Sequence, residues 1–95
     1  MTLIAKQPYY KIIRELSSVR QRDIKEEREI KLYIDKVVTR YREFPIEDVL
    51  DMSYRNFGPK GGLLYLHTIK GVFSYHVEHS PEQFIRVFKD YIEGL

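Results

Sequence analysis

The sequence predicts an α+β fold: an antiparallel, strongly bent sheet or partly open barrel of five to seven strands, capped by a C-terminal helix. Three observations support this prediction. Two stretches that alternate around a short turn indicate β-hairpins, and residues 81–94 carry apolar side chains at helical spacing. The chain has 95 residues, 43% hydrophobic and 32% charged, which suits one domain, 1–95, with one modest core.

The C-terminal helix has the clearest local signals. Ser80 stands at the N-cap, Pro81 at the first helical position and Gln83 at the third. The apolar face of this helix consists of Phe84, Ile85, Phe88, Tyr91, Ile92 and Leu95. We therefore expect an amphipathic helix over 81–94.

Residues 63–77 predict a β-hairpin that turns at Lys70-Gly71. In this register Leu66 lies opposite Tyr75. Because side chains alternate along a strand, one face becomes the core side; its members are Leu64, Leu66, Thr68, Phe73, Tyr75 and Val77. We expect the outer face, which includes Tyr65 and His67, to be only partly covered.

Residues 29–44 predict another hairpin, turning at Asp35-Lys36. The inward side chains are expected to be Ile30, Leu32, Ile34, Val37, Thr39 and Tyr41. On the outer face this register places Lys31 directly opposite Arg40, with Arg42 nearby. Like charges in this position destabilise a sheet, so the face is either well solvated or offset by a bound anion.

A strand over 50–55 and a loop over 56–62 connect the two hairpins. Short connections require antiparallel neighbours, so we expect residues 29–77 to form an antiparallel meander. Residues 1–28 remain open between helix and strand. A helical stripe comprises Tyr9, Ile12, Ile13, Leu16 and Val19, and its periodicity favours the helix.

Composition and motifs exclude several classes of function. The chain has no cysteine, which excludes disulfides and thiolate metal ligation, and no apolar run long enough for a membrane span. The net charge of +2 is too balanced for a dedicated nucleic-acid binder. We expect a cytoplasmic protein, with peripheral membrane contact as an option.

No motif points to catalysis. His67 and His76 are diagonal neighbours in the predicted register, but two histidines without further ligands do not make a zinc site. The segment Gly58-Pro59-Lys60-Gly61-Gly62 lacks both the spacing and the following helix of a phosphate loop, and its glycines favour a chain reversal before Leu63. We expect no catalytic residues, no metal and no cofactor.

From about Glu29 onward, the order of features resembles the small bacterial pleckstrin-homology-like (PH-like) domains. The features are the hairpin 30–42, the Phe44-Pro45 segment leading into a strand, the hairpin ending at Tyr75, and the helix opened by Ser80-Pro81. The resemblance implies a bent antiparallel sheet with the helix closing one open end. It also implies a non-enzymatic scaffold that binds proteins or membrane surfaces.

These observations give two hypotheses for function. The first is an interaction module that binds a protein partner or a second copy of itself, and the second is peripheral binding to an anionic membrane surface. The candidate binding residues are Lys31, Arg40, Arg42, Tyr65 and His67.

Overall fold

The computed structural model describes residues 2–16 and 21–95 of the chain. Its elements, in order, are β1 Leu3–Leu16, β2 Gln21–Tyr33, β3 Lys36–Val38, β4 Glu43–Pro45, β5 Val49–Asn56, β6 Gly62–Thr68, β7 Gly71–Val77 and α1 Glu82–Glu93. Short 3₁₀ turns at Ile46–Asp48 and Gly58–Lys60 precede β5 and β6. None of the described helical residues forms a segment long and apolar enough to cross a membrane.

The strands form one antiparallel sheet in the order β4-β3-β2-β1-β7-β6-β5. Consecutive strands pair in two runs, β1 to β4 and β5 to β7, and β1 meets β7 between them. Because β4 and β5 lie at opposite edges of the sheet, the sheet is open. The predicted antiparallel sheet with a C-terminal helix is confirmed, but the meander predicted over 29–77 is interrupted between β4 and β5.

The helix favoured for the N-terminal residues is wrong: β1 and β2 form a long hairpin. The two strands pair from Leu3 opposite Tyr33 to Leu16 opposite Gln21. Backbone pairing along the two strands, with the apolar residues Ile13 and Ile24 opposite each other, outweighs the helical spacing of the apolar residues. Val19, the last residue of the expected stripe, lies outside the described residues.

The hairpin of β6 and β7 is confirmed, but its register differs from the prediction. Ile69-Lys70 is the turn, so Leu66 lies opposite Phe73 instead of Tyr75. The Thr68 hydroxyl donates to the Gly71 carbonyl at 2.9 Å and accepts from the Lys70 N–H at 3.1 Å. These bonds close the turn one residue earlier. Because a pairing shift of two positions keeps side-chain parity, the predicted core face is still the buried one.

The first predicted hairpin changes more. Strand β3 ends at Val38, and a tight turn over 39–42 leads into β4. In the β3–β4 pair Val37 lies opposite Phe44, so both side chains reach the core, which one continuous strand could not achieve. Lys31 consequently lies opposite Val38, and the predicted pairing of Lys31 with Arg40 is wrong.

The core lies between the sheet and α1. Its buried hydrophobic residues are Tyr9, Ile30, Leu32, Val37, Phe44, Val49, Met52, Leu64, Leu66, Val77, Phe84 and Phe88. Three residues expected to face inward are exposed instead: Ile34 and Tyr41 lie in turns, and Leu95 lies beyond the helix. The packed face is otherwise the one predicted.

Local contacts explain where α1 begins and what it packs against. The helix starts one residue later than predicted and its N-cap is Pro81, so the prediction of Ser80 at the N-cap is wrong. Ser80 precedes the cap, and its Oγ accepts a hydrogen bond from the Glu82 N–H at 3.3 Å. Phe84 and Phe88 are buried, while Lys89 Nζ lies 3.7 Å from Asp51 of β5.

In the loop that precedes β6, a side chain at position 61 would collide with the Val77 carbonyl oxygen, which explains why Gly61 is a glycine.

Replacement of Leu64 by alanine tests the core. Leu64 is fully buried, so Leu64→Ala should lower the free energy of unfolding by about 2–5 kcal/mol. Leu50→Ala is the matched control, because Leu50 is 64% exposed and should change stability by no more than about 0.5 kcal/mol. Urea denaturation of both variants measures the difference, and equal losses would contradict the described core.

Candidate functional site

The middle of the sheet is joined by one residue pair. Among the described residues, β1 pairs with β7 only at Tyr10 and His76, although β6 pairs with β7 along its whole length. Pro8, two residues before Tyr10, has no N–H to donate, so the pairing cannot continue normally in that direction. In the other direction β1 and β7 separate, and a cleft lies between them.

Side-chain contacts stabilise the pairing of Tyr10 with His76. The rings of Tyr10 and His76 lie 5.6 Å apart, and Lys25 Nζ lies 4.7 Å from the centre of the Tyr10 ring. Lys25 also forms an ion pair with Glu78, which directly follows β7. These contacts therefore hold the β1–β2 hairpin against β7 at one end of the cleft.

The β1–β7 cleft has a volume of about 500 Å³. It is lined by residues 9–12 of β1, by Arg28 of β2, by Thr39, Tyr41 and Arg42 of the turn, and by residues 73–76 of β7. This volume is in the range of ligand-binding sites, which run from about 300 to 1,000 Å³.

Aromatic rings form the inner wall of the cleft. Tyr9 is buried and packs edge-on against Tyr75, with ring centres 5.0 Å apart. The Tyr9 hydroxyl accepts a hydrogen bond from the Arg40 N–H at 3.2 Å. Phe73 packs on Phe44 of the core at 5.1 Å. The wall is thus continuous with the core, which makes it a rigid surface for a ligand.

The cleft carries positive charge. The guanidinium of Arg28 is bound to the Glu26 carboxylate through two nitrogens, at 2.9 and 3.1 Å, and this hydrogen bonding raises the pKa of Arg28. Lys11 and Arg42 have no ion pair within the described chain, and none of the lining residues is acidic. The cleft can therefore accept an anionic group without displacing a carboxylate from either residue.

The turn over 39–42 holds Arg42 in place. The Thr39 N–H donates to the Arg42 carbonyl at 2.8 Å, and the Arg42 N–H donates to the Thr39 hydroxyl at 3.2 Å. The guanidinium of Arg42 lies 4.6 Å from the centre of the Phe73 ring. Stacking of this kind orients the cation and leaves its N–H groups available to a ligand.

The other predicted basic residues lie in a neighbouring cavity of about 530 Å³. Lys31 and Arg40 both line it, as the sequence led us to expect, although they do not pair across strands. Glu27 and Glu29 line the same cavity, and Glu29 also lies 3.6 Å from Lys6. Its charge is therefore mixed, unlike that of the β1–β7 cleft.

Tyr65 and His67 lie apart from these basic residues, on the outer face of β6. Nε2 of His67 is 2.7 Å from the hydroxyl of Ser53 on β5, a contact that the sequence analysis missed. Neither Tyr65 nor His67 lines the two cavities described above. The structure thus separates the five candidate residues into three places: the mixed cavity, the β1–β7 cleft and the outer face.

One further expectation is corrected on the outer face. His67 lies opposite Val72 and His76 lies opposite Leu63, so the two histidines are not diagonal neighbours. Within residues 2–16 and 21–95, no three histidine, aspartate or glutamate side chains are grouped so as to hold a metal ion.

Sequence reasoning identified Arg42 but missed Tyr9, Arg28 and Tyr75, which surround the same cleft. The available signal was the excess of tyrosine over what the predicted core face could hold, together with Pro8 inside an alternating stretch. Comparisons with family models, curated proteins and solved structures give no match to this chain. The site is therefore interpreted from its own geometry.

The pH dependence of stability tests the buried wall. Burial raises the pKa of Tyr75 above its ordinary value of 10.0, and the Thr39 hydroxyl and Arg42 offset this effect only in part. The folded protein keeps the Tyr75 proton to a higher pH than the unfolded chain does. The resulting stabilisation is fully present below about pH 10 and is lost as the pH rises through the folded-state pKa.

We expect Tyr75→Phe to weaken this alkaline loss of stability, measured by urea denaturation across the pH series. Tyr41→Phe is the control, because Tyr41 is 74% exposed and should leave the dependence unchanged. In an ultraviolet titration of the tyrosine hydroxyls, the Tyr75→Phe variant should lack absorbance change in the most alkaline part of the curve. An unchanged alkaline part would show that Tyr75 is not the buried group.

Proposed function

We propose that this protein is a non-catalytic interaction module with a PH-like architecture, and that it binds a protein partner in the β1–β7 cleft. The observation that carries the proposal is Arg42, a stacked cation that has no counterion among the described residues, at a cleft of ligand size. Arginine held against an aromatic ring is a common anchor of protein interfaces. The open seven-stranded antiparallel sheet and the C-terminal helix support the PH-like architecture.

The lining of the cleft favours binding over catalysis. Ser74 and His76 are the potential reacting groups there, but both lie on one strand, and the His76 ring packs on Tyr10. A nucleophile needs a base within hydrogen-bond reach and donors for the developing oxyanion. The strong interactions described in the cleft instead position cations and aromatic rings.

A protein partner is favoured over a membrane surface by the distribution of charge. Membrane attraction depends on several cations that face the lipid together. Lys31 and Arg40 share their cavity with two glutamates, and Arg42 lies against Phe73 in a separate cleft. This arrangement suits acidic side chains of a partner that enter the cleft better than an extended anionic surface.

Site-specific photo-crosslinking in the cells that naturally express this protein tests the proposal. A photoreactive amino acid replaces Tyr41, which lies exposed on the rim of the cleft, and the control position is Leu50, exposed on β5. We expect adducts with a distinct protein from position 41 and not from position 50. Adducts should fall on the order of tenfold with Arg42→Ala, since arginine anchors typically contribute at least 1.4 kcal/mol.

Arg55→Ala is the matched control for Arg42→Ala, because Arg55 also stacks on an aromatic ring, 5.5 Å from that of Phe57, on another part of the surface. Equal loss of adducts in both variants would show that binding depends on the overall positive charge and not on Arg42 in the cleft. Adducts composed only of two copies of this chain would assign the cleft to self-association, which light scattering of the purified protein would also detect.

Vesicle sedimentation tests the membrane hypothesis. We expect equally low binding to neutral vesicles and to vesicles rich in anionic lipid, because the cations do not form one surface. Binding that rises with anionic lipid, falls steeply with salt and drops in the Arg40→Ala/Arg42→Ala variant would replace the protein-binding proposal with the membrane one.

A further inference from the structure

The cleft exposes backbone as well as side chains. The turn Ile69-Lys70 closes on the pair Thr68–Gly71, so the residues hydrogen-bonded to β6 are Gly71, Phe73 and Tyr75. The backbone N–H and C=O groups of the alternate residues Val72, Ser74 and His76 therefore point towards β1. His76 meets Tyr10 there, but Val72 and Ser74 have no strand partner on that side within the described chain.

The facing edge of β1 is also free. Tyr10 directs its backbone groups to β7, and by the same alternation Ile12 does so two residues later. Neither Ile12 nor Ser74 is paired across the gap, although both line the cleft. Free strand edges of this kind are templates for another strand, and many peptide-binding domains use them.

Side chains around the gap define the chemistry of a strand that would fit. The inward-facing positions of such a strand would meet Arg42 and Lys11, whose charges have no counterion in the part of the chain that the structure describes. The outward-facing positions would lie between Val72 and Ile12, which are 59% and 47% exposed. Acidic residues suit the first set of positions and β-branched apolar residues suit the second.

We propose that an extended acidic segment of a partner protein binds by adding a strand to the edge of β7 at Val72–Ser74. Its carboxylates alternate with apolar residues and reach Arg42 and Lys11 inside the cleft. The inference rests on the proposed function, since it specifies how the partner occupies the same cleft. Backbone hydrogen bonds then supply affinity, and Arg42 supplies the selection for acidic sequences.

The proposal is tested with a fluorescent hexapeptide in which glutamate alternates with valine, using polarisation to measure binding to the full chain. One control peptide has the same side chains but carries N-methyl groups on alternate amides, on the edge that would face β7. A second control peptide replaces glutamate by lysine. We expect both changes to weaken binding at least tenfold, because they remove either the backbone donors or the complementary charge.

Protein variants and hydrogen exchange locate the peptide. Arg42→Ala should weaken binding about tenfold, whereas Arg55→Ala should leave it unchanged. In the free protein the amides of Val72 and Ser74 should exchange with solvent rapidly, and the hexapeptide should slow them. The amides of Phe73 and Tyr75, bonded to β6, should already be protected and should change little.

Each alternative outcome is distinct. Equal binding of the N-methylated peptide would overturn strand addition and leave an acidic ligand held by charge alone. Failure of the hexapeptide to bind, while position 41 still crosslinks to a protein, would overturn the inference and leave the proposed function standing. If neither the hexapeptide nor any cellular protein is bound, both proposals are wrong.

Discussion

The structure depends on the single strand pair between Tyr10 and His76. It joins two half-sheets, β1 to β4 and β5 to β7, which otherwise meet through the core and α1. The helix contacts both β1 and β5, and the Tyr91 hydroxyl donates to the Ile34 carbonyl at 2.5 Å. Because so little backbone pairing links the halves, the sheet leaves an opening at its middle.

Local sequence signals predicted most of the elements correctly. The helical spacing of Phe84 and Phe88 identified the helix, although its N-cap is Pro81 instead of Ser80. The alternation around Leu64 and Leu66 identified the core face. The exact registers were wrong because the turns are closed by specific side-chain bonds, such as those of Thr68, that composition does not reveal. The helical preference for the first residues failed because Tyr9 and its neighbours gain their partners across the hairpin, from β2.

The candidate site was predictable only in part for the same reason. Arg42 was chosen as a candidate because the predicted register placed it near Lys31 and Arg40 on opposite strands. That register is wrong, but Arg42 does lie in a basic cleft. Its actual environment is set by the turn at Thr39 and by Phe73, which is far away in the sequence. The cleft itself follows from where β1 and β7 stop pairing, a property of two strands near opposite ends of the chain. No local pattern encodes that point except Pro8, whose missing N–H limits the pairing on one side.

The order of the strands along the chain also constrains folding during synthesis. Strands β1 to β4 leave the ribosome before β5 to β7 and can pair among themselves, but β1 cannot meet β7 until β7 has emerged. Until then Tyr10, on the edge of β1 beyond Pro8, lacks its partner His76 and is open to wrong partners. Proline at position 8 and the charged residues Lys11 and Lys6 would act as gatekeepers that limit aggregation of the nascent chain at this edge.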